Sequence, residues 1–359
     1  MKITITIIFL TLPFITFSQQ KDGYEIVKLV KTTPVKNEQY SNACWSFATT
    51  SFIETEILRK QNREIILSPM YFVYHNYFLQ TWNYIRMHGQ TRFSPGGLTF
   101  HALNALKNYG CVPQEVYSGL PKGMGILLSY ELTDSIKSKL DSIVRLYKID
   151  TTWKGSIVKD MEKYMGKPPD VFKYEGSDFN PLSFSKNICD INSDDYIEIT
   201  SFNHHPFYEK CFLEVPANWN HGEYYNLPIN YLMAVIDSAL YNGYSLIWDG
   251  DVTEYPLMKN GEVDFTVQVL DLVVAGNAAK NINQELRQHS FDDYTTTEDH
   301  LSHLVGIALD KAGGKYYILK DFQGNDKLLN GYLLVSEAYI KLKTISVMTH
   351  KSVLKRVLQ

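Results

Sequence analysis

The chain has 359 residues, is 45% hydrophobic and 21% charged, and carries a formal net charge of −4. These proportions suit one large folded domain or two lobes and exclude a disordered chain. The mild acidity leaves no electrostatic footprint for nucleic acid, so no such partner is expected.

In chain order, the first segment reads as a targeting signal. Lys2 is a short basic start, Ile3 to Phe17 is apolar apart from Thr and Pro13, and Gln19 to Gly23 is mainly polar. A signal peptide over residues 1–18, cut near Ser18 or Gln19, is expected, and with it an exported protein, periplasmic or secreted. No Cys follows the apolar run, which argues against a lipid anchor. No later stretch approaches ~18 uninterrupted apolar residues, so no membrane span is expected.

A turn-rich lead-in ends at Asn42, and a helix is expected from Trp45 to Lys60. Its apolar stripe is Trp45, Ala48, Phe52, Ile53 and Ile57, with Glu54, Glu56, Arg59 and Lys60 outside it. Cys44 therefore stands where a loop becomes a helix. A thiol there meets the positive end of the helix dipole and unpaired amide donors, both of which favour the thiolate. The competing reading is a buried cysteine acting as a small hydrophobe. Cys44 to about Gly119 reads as mainly helical, with Tyr71–Leu79 as a core helix. The glycines at 119, 123 and 125 lack the spacing and setting of a nucleotide loop. Residues 126–249 hold two helical patterns, near Ser135–Tyr147 and Ile229–Tyr241. Ser183 and Lys186 match a Ser-x-x-Lys pattern by chance, because its companion motifs are missing.

Residues 263–349 read as β-rich. Asp299 to Ala308 is a polar lead-in to a strand, Asp310 to Gly314 a turn, and Lys315 to Phe322 the returning strand. This hairpin folds Asp321 back toward His300. Cys44, His300 and Asp321 together make a thiol-protease constellation. His300 and His303 fall on opposite faces of a strand, and His204-His205 is an isolated pair with a structural or subsite role. A zinc site needs three or four converging ligands, so neither a metal nor another cofactor is expected.

Several motifs in order carry a family resemblance: Cys44-Trp45-Ser46-Phe47-Ala48, Ser94-Pro95-Gly96-Gly97, Lys107 to Glu115, Ile199 to Tyr208, Asp299-His300, and Gly331 to Tyr339 followed by Lys343-Thr344-Ile345. On these the chain resembles the papain superfamily, in its bleomycin hydrolase / aminopeptidase C branch. The resemblance implies an α+β, papain-like two-lobe fold, with a helical left lobe (44–119), a β-barrel-like right lobe (263–349) and an inserted region (126–249) within 19–359. It implies a thiol peptidase, aminopeptidase-like, acting on peptide substrates through Cys44, His300 and an orienting residue at 321. Gly96 and Gly97 would bind substrate backbone.

The departures cluster in the catalytic machinery. The family's oxyanion-donating Gln, six residues before the nucleophile, is Glu38 here, followed by Gln39. Either a neutral Glu38 or a shifted Gln39 could serve. The family's Asn-Ser-Trp reads Asp321-Phe322-Gln323. Asp orients an imidazole acceptably, while loss of the Trp predicts a wetter His–Asp contact. Asn42-Ala43 replaces a Gly-containing pair, and Asn tolerates positive φ best. Secreted papain-type enzymes usually carry a Cys at the position of Ser41. Cys111, Cys189 and Cys211 are expected to be buried and reduced. The resemblance also implies a homo-oligomer, a hexamer in the family, with the C-terminus in the cleft. About ten residues follow the last expected strand, fewer than in eukaryotic members, which leaves clamp and hexamer open. Two readings follow: a working peptidase with altered pH dependence, or a pseudo-peptidase that binds peptides or a partner.

Overall fold

The computed structural model describes residues 20–21, 23–121, 129–150, 152–252, 269–270, 282–322 and 331–359. The expected signal peptide, the second half of the 119–125 loop and Gln323 lie outside the described residues. The first half contains β1 (Gln20–Lys21), β2 (Tyr24–Leu29), α1 (Cys44–Gln61), α2 (Pro69–Arg86), α3 (Thr99–Tyr109), α4 (Ser129–Ile143), α5 (Trp153–Met165), β3 (Phe172–Tyr174), β4 (Ser177–Phe179) and α6 (Pro181–Phe184). The second contains β5 (Tyr196–Thr200), β6 (Lys210–Phe212), β7 (Glu223–Asn226), α7 (Ile229–Tyr241), β8 (Leu246–Gly250), β9 (Val269–Leu270), α8 (Gln284–Asp292), β10 (His300–Asp310), β11 (Lys315–Lys320), β12 (Tyr332–Ser336), α9 (Glu337–Lys343), β13 (Thr344–His350) and α10 (Lys351–Leu358).

The architecture is α+β. One mixed sheet runs β6-β7-β5-β13-β8-β10-β11-β12-β9, with β2 also paired to β10 and β1 to β2. It draws strands both from the 126–249 stretch and from the β-rich 263–349 stretch. Among the described residues the path has two ends, β6 and β9. The sheet is buried on both faces. One face meets α1 and the helices around it, through Phe52, Leu301, Ile345 and Met348. The other packs Trp248, Leu304 and Tyr317 against α7, α9 and α10.

Sequence periodicity puts α1 and α2 where they form. Ser68 caps α2, its hydroxyl accepting from the Tyr71 N–H at 3.2 Å, with Pro69 in the first turn. Asn62 closes α1 in the left-handed conformation. Glu54 and Glu56 lie off the apolar stripe, yet both are fully buried. The helix is enclosed on every side from Trp45 to Leu58, so its polar face meets protein donors instead of water. Glu54 accepts from Thr33 Oγ1 at 2.6 Å, from the Leu67 N–H at 2.7 Å, and from Lys36. Glu56 accepts from Arg59 Nε at 2.8 Å and from Arg59 Nη2 at 2.7 Å.

Removing one partner of such a buried cluster strands the others without water. Glu54→Ala is therefore expected to cost about 3–5 kcal/mol of unfolding free energy. Denaturant unfolding of the variant checks this, and a loss under about 1 kcal/mol would mean that the donors find new partners. All four cysteines are free thiols, and Cys111, Cys189 and Cys211 are buried.

Candidate active site

Cys44 is the first residue of α1, half-buried where the helix meets β10. The N–H at the first position of a helix has no acceptor within the helix, which leaves the Cys44 N–H as a donor. Asn42 takes φ 49°, a conformation Asn tolerates, and its side chain donates to Ser129 Oγ at 2.8 Å. The thiol hydrogen-bonds with His300. Burial pushes Cys44 up from its ordinary value, and the charge and hydrogen bond of His300 offset part of that.

His300 opens β10 and Asp321 directly follows β11. The two strands pair antiparallel with His303 opposite Lys320, which carries Asp321 back across the sheet to His300. His300 Nε2 lies 2.6 Å from Asp321 Oδ1. The other ring nitrogen is thereby left for Cys44. Burial by itself would lower His300. The Asp321 charge and the contacts with Cys44 outweigh it and hold the imidazole well above its ordinary range. Burial would raise Asp321, but His300, the Phe322 N–H and Ser302 Oγ keep it below the usual carboxylate value. The contact is dry, contrary to the wetter one expected: the side chains of His300 and Asp321 are 5% and 9% exposed. Phe322, wholly buried against Phe47, supplies the cover.

Glu38 and Gln39 part company. Glu38 is buried, its N–H donates to Phe322 O at 2.8 Å, and its Oε2 accepts from the Ala43 N–H at 3.0 Å. The charges of His300 and Asp321 both act on it. Burial pushes its pKa up to about 7, against the opposing pull of His300. Gln39 is exposed at φ 54°, with its N–H tied to Asn37 Oδ1. The structure thus brings Glu38, and not Gln39, to the Cys44–His300 pair.

Gly96 and Gly97 differ as well. A Cβ on Gly97 would sit 2.8 Å from the Trp45 indole, so this position needs glycine for packing. Gly96 is half-exposed, and a Cβ there would meet only Ser94 Oγ at 3.8 Å. Trp45 ties the glycine strip to α1 by donating from Nε1 to Pro95 O at 3.1 Å.

Two contributors escape a reading of the sequence. Ser302 shares Asp321 with His300 because residues two apart on a strand share a face, a signal available in the sequence. His303, on the other face, bonds Ser51 Oγ instead, at 2.9 Å. His101 accepts the Leu98 N–H at 2.8 Å, pairs with Asn220 and stacks on Trp219, bracing the far side of Trp45. No local pattern announces that role. A dry imidazole held between a carboxylate and a thiol, beside a helix N-terminus, is equipped for nucleophilic acyl transfer.

Residues 16–359 match the Peptidase C1-like family. Aminopeptidase G of Lactobacillus delbrueckii subsp. lactis is 22% identical, over 90% of this chain and 82% of that protein. The mitochondrial cysteine proteinase 1 of Saccharomyces cerevisiae (strain JAY291) is 22% identical, over 90% of this chain and 76% of its own. The crystal structure of PepW from Lactobacillus rhamnosis HN001 has a TM-score of 0.69 at 19% identity, covering 93% of this chain and 84% of that one, and so has the same fold.

Proposed function

The chain belongs to the Peptidase C1-like family, and we propose that it is a thiol-dependent peptidase, aminopeptidase-like, with Cys44 as nucleophile, His300 as acid and base, and Asp321 as the group that orients His300. The observation that carries this reading is the His300 imidazole, buried between Asp321 Oδ1 and the Cys44 thiol. The names of the relatives, aminopeptidases and a cysteine proteinase, support the same class.

In the proposed reaction the Cys44 thiolate attacks the peptide carbonyl carbon. The carbonyl electron pair moves to oxygen, where the Cys44 N–H and a protonated Glu38 receive it. His300, an imidazolium at that point, gives its proton to the leaving amine as the C–N bond breaks. Water, giving a proton to His300, then attacks the thioester carbon, the C–S bond breaks, and the Cys44 thiolate and His300 imidazolium are restored. Asp321 keeps the imidazole in one orientation and favours its charged form. Gly96 is the position at which substrate backbone can approach closely. Peptides are the substrate class. Export directed by residues 1–18 is part of the same proposal.

Aminopeptidase action needs something to meet the substrate amine. Residues 351–358 form α10, which packs Val353 and Leu354 onto the apolar cluster of α7, on the sheet face away from α1. No role in meeting the substrate amine is assigned to α10. A second reading, a catalytically impaired peptide- or partner-binding protein, is favoured by one observation: a carboxyl group, Glu38, stands where an amide donor would serve better.

Labelling of purified protein with an epoxide probe across pH, located by mass, separates the two readings. Labelling at Cys44 well above the rate of a free thiol, with turnover of fluorogenic aminoacyl substrates, is expected. Preference for free-amine over blocked substrates would make it an aminopeptidase. A Cys44 that labels no faster than a free thiol, without turnover, would overturn the peptidase reading in favour of binding.

A further inference from the structure

Away from Cys44, the loop after β5 and the segment after β6 bring three metal-ligating side chains together. His204 Nε2 lies 3.0 Å from Glu214 Oε2, and His205 Nε2 lies 3.0 and 3.1 Å from Glu214 Oε2 and Oε1. One ligand atom from each residue falls within 4.8 Å of the others. We propose that His204, His205 and Glu214 form a divalent transition-metal site that takes Zn2+, and that it ties the loop after β5 to the segment after β6. The proposal is independent of the peptidase reading.

Donor chemistry sets the class of ion. Two imidazoles and a carboxylate suit Zn2+, whereas Ca2+ and Mg2+ call for oxygen donors. The spacing fits too. Donors about 2.0–2.1 Å from a tetrahedral zinc lie roughly 3.3 Å apart. The two His–Glu214 separations of 3.0 Å need to open by only a few tenths of an ångström, and the two histidine donor atoms lie within 4.8 Å of each other. Three protein ligands leave a fourth position for water, and all three side chains have access to solvent.

The surroundings supply the outer shell that a zinc-bound histidine requires. His204 Nδ1 faces the Gln288 side chain of α8, 2.9 Å from Nε2 and 3.2 Å from Oε1. Gln288 is itself fixed, its Oε1 accepting from the Asn203 N–H at 2.7 Å and its Nε2 donating to Asp292 Oδ1 at 2.8 Å. The amide can therefore serve either tautomer of His204. Without metal, Nε2 carries the proton toward Glu214 and Nδ1 accepts from Gln288 Nε2. With zinc on Nε2, the proton sits on Nδ1 and is donated to Gln288 Oε1. The His204 ring also stacks on Phe291 with an interplanar angle of 9°. The loop backbone is pinned by Asn226, whose Nδ2 donates to the carbonyls of Phe202, His205 and Pro206. The rings are thus oriented before any ion arrives.

The test uses the full chain carrying Cys44→Ala, so that the thiol cannot compete for zinc. Equilibrium dialysis against Zn2+ is expected to give one ion per chain and a raised thermal midpoint. His204→Ala, His205→Ala and Glu214→Gln should each weaken binding at least 10-fold and remove the thermal shift, and Gln288→Ala should weaken it by about 10–100-fold. Glu214 is on the surface and its Gln variant is isosteric, so its far-ultraviolet circular dichroism should match the parent and separate lost binding from lost fold. Affinity unchanged in Glu214→Gln and His205→Ala, or binding no tighter than when His204→Ala, His205→Ala and Glu214→Gln are combined, would overturn the site.

Discussion

Cys44→Ala is expected to abolish peptide hydrolysis, lowering kcat by roughly 10⁴–10⁶-fold, while the protein still folds and still binds peptide. Alanine is the better helix former at the first position of α1, so the change is gentle to the scaffold. His300 loses its contact with the thiol but keeps its anchor, because Asp321 still holds it at Nε2, and Glu38 still caps the Ala43 N–H. What disappears is the sulfur proposed to bond to the carbonyl carbon. Initial rates with a fluorogenic aminoacyl substrate, beside a binding titration with an uncleavable peptide, make the measurement. Hydrolysis within about 10-fold of the parent would mean that the chemistry is done elsewhere.

The second large effect is Glu38→Gln, and its sign depends on pH. With a pKa near 7, Glu38 is neutral in about 99% of molecules at pH 5, in about half at pH 7 and in about 1% at pH 9. Only the neutral form donates a hydrogen bond to a developing oxyanion, whereas the ionised form repels it. A lost donor costs about 10²–10³ in rate. Glutamine donates at every pH, and its oxygen can accept from the Ala43 N–H as Glu38 Oε2 does now. The variant should match the parent near pH 5 and exceed it by up to about 100-fold near pH 9, removing a basic limb from the kcat/KM profile. Stability follows the same titration. A carboxyl raised from 4.5 to about 7 on folding contributes stability that is full below 4.5 and lost as pH rises through about 7. Glu38→Gln should therefore also unfold at higher denaturant concentration above pH 7. A parallel loss or gain across the whole pH range would show that Glu38 is not the donor.

What was legible in the sequence is what local periodicity controls. The stripe from Trp45 to Ile57 foretells α1, and Cys44 at its head follows. The turn at Asp310 to Gly314 predicts the hairpin that returns Asp321 to His300. The rest is decided by partners distant in sequence. Whether Glu38 or Gln39 faces the thiol rests on one left-handed residue, Gln39, in an irregular loop. That Glu54 is buried rests on Thr33, Lys36 and Leu67, which no helical pattern reveals. Dryness around Asp321 comes from Phe322 packed on Phe47. The helix α5 carries a regular buried stripe, Trp153, Ile157, Met161 and Met165, so its signal too is present in the sequence, although α5 is found only in the structure.

The place of β13 in the sheet has a consequence in time. It is the last strand along the chain, yet it lies between β5 and β8, and β8 is the neighbour that supports the His300 end of β10. During synthesis, everything from Cys44 through Asp321 can emerge and still lack the strand that joins the two halves of the sheet. Pairing of this kind spans long stretches of chain and forms late. A nascent copy would thus carry its thiol and its imidazole without the framework that aligns them. Alignment of Cys44 with His300 would then be completed only once β13 has joined β5 to β8.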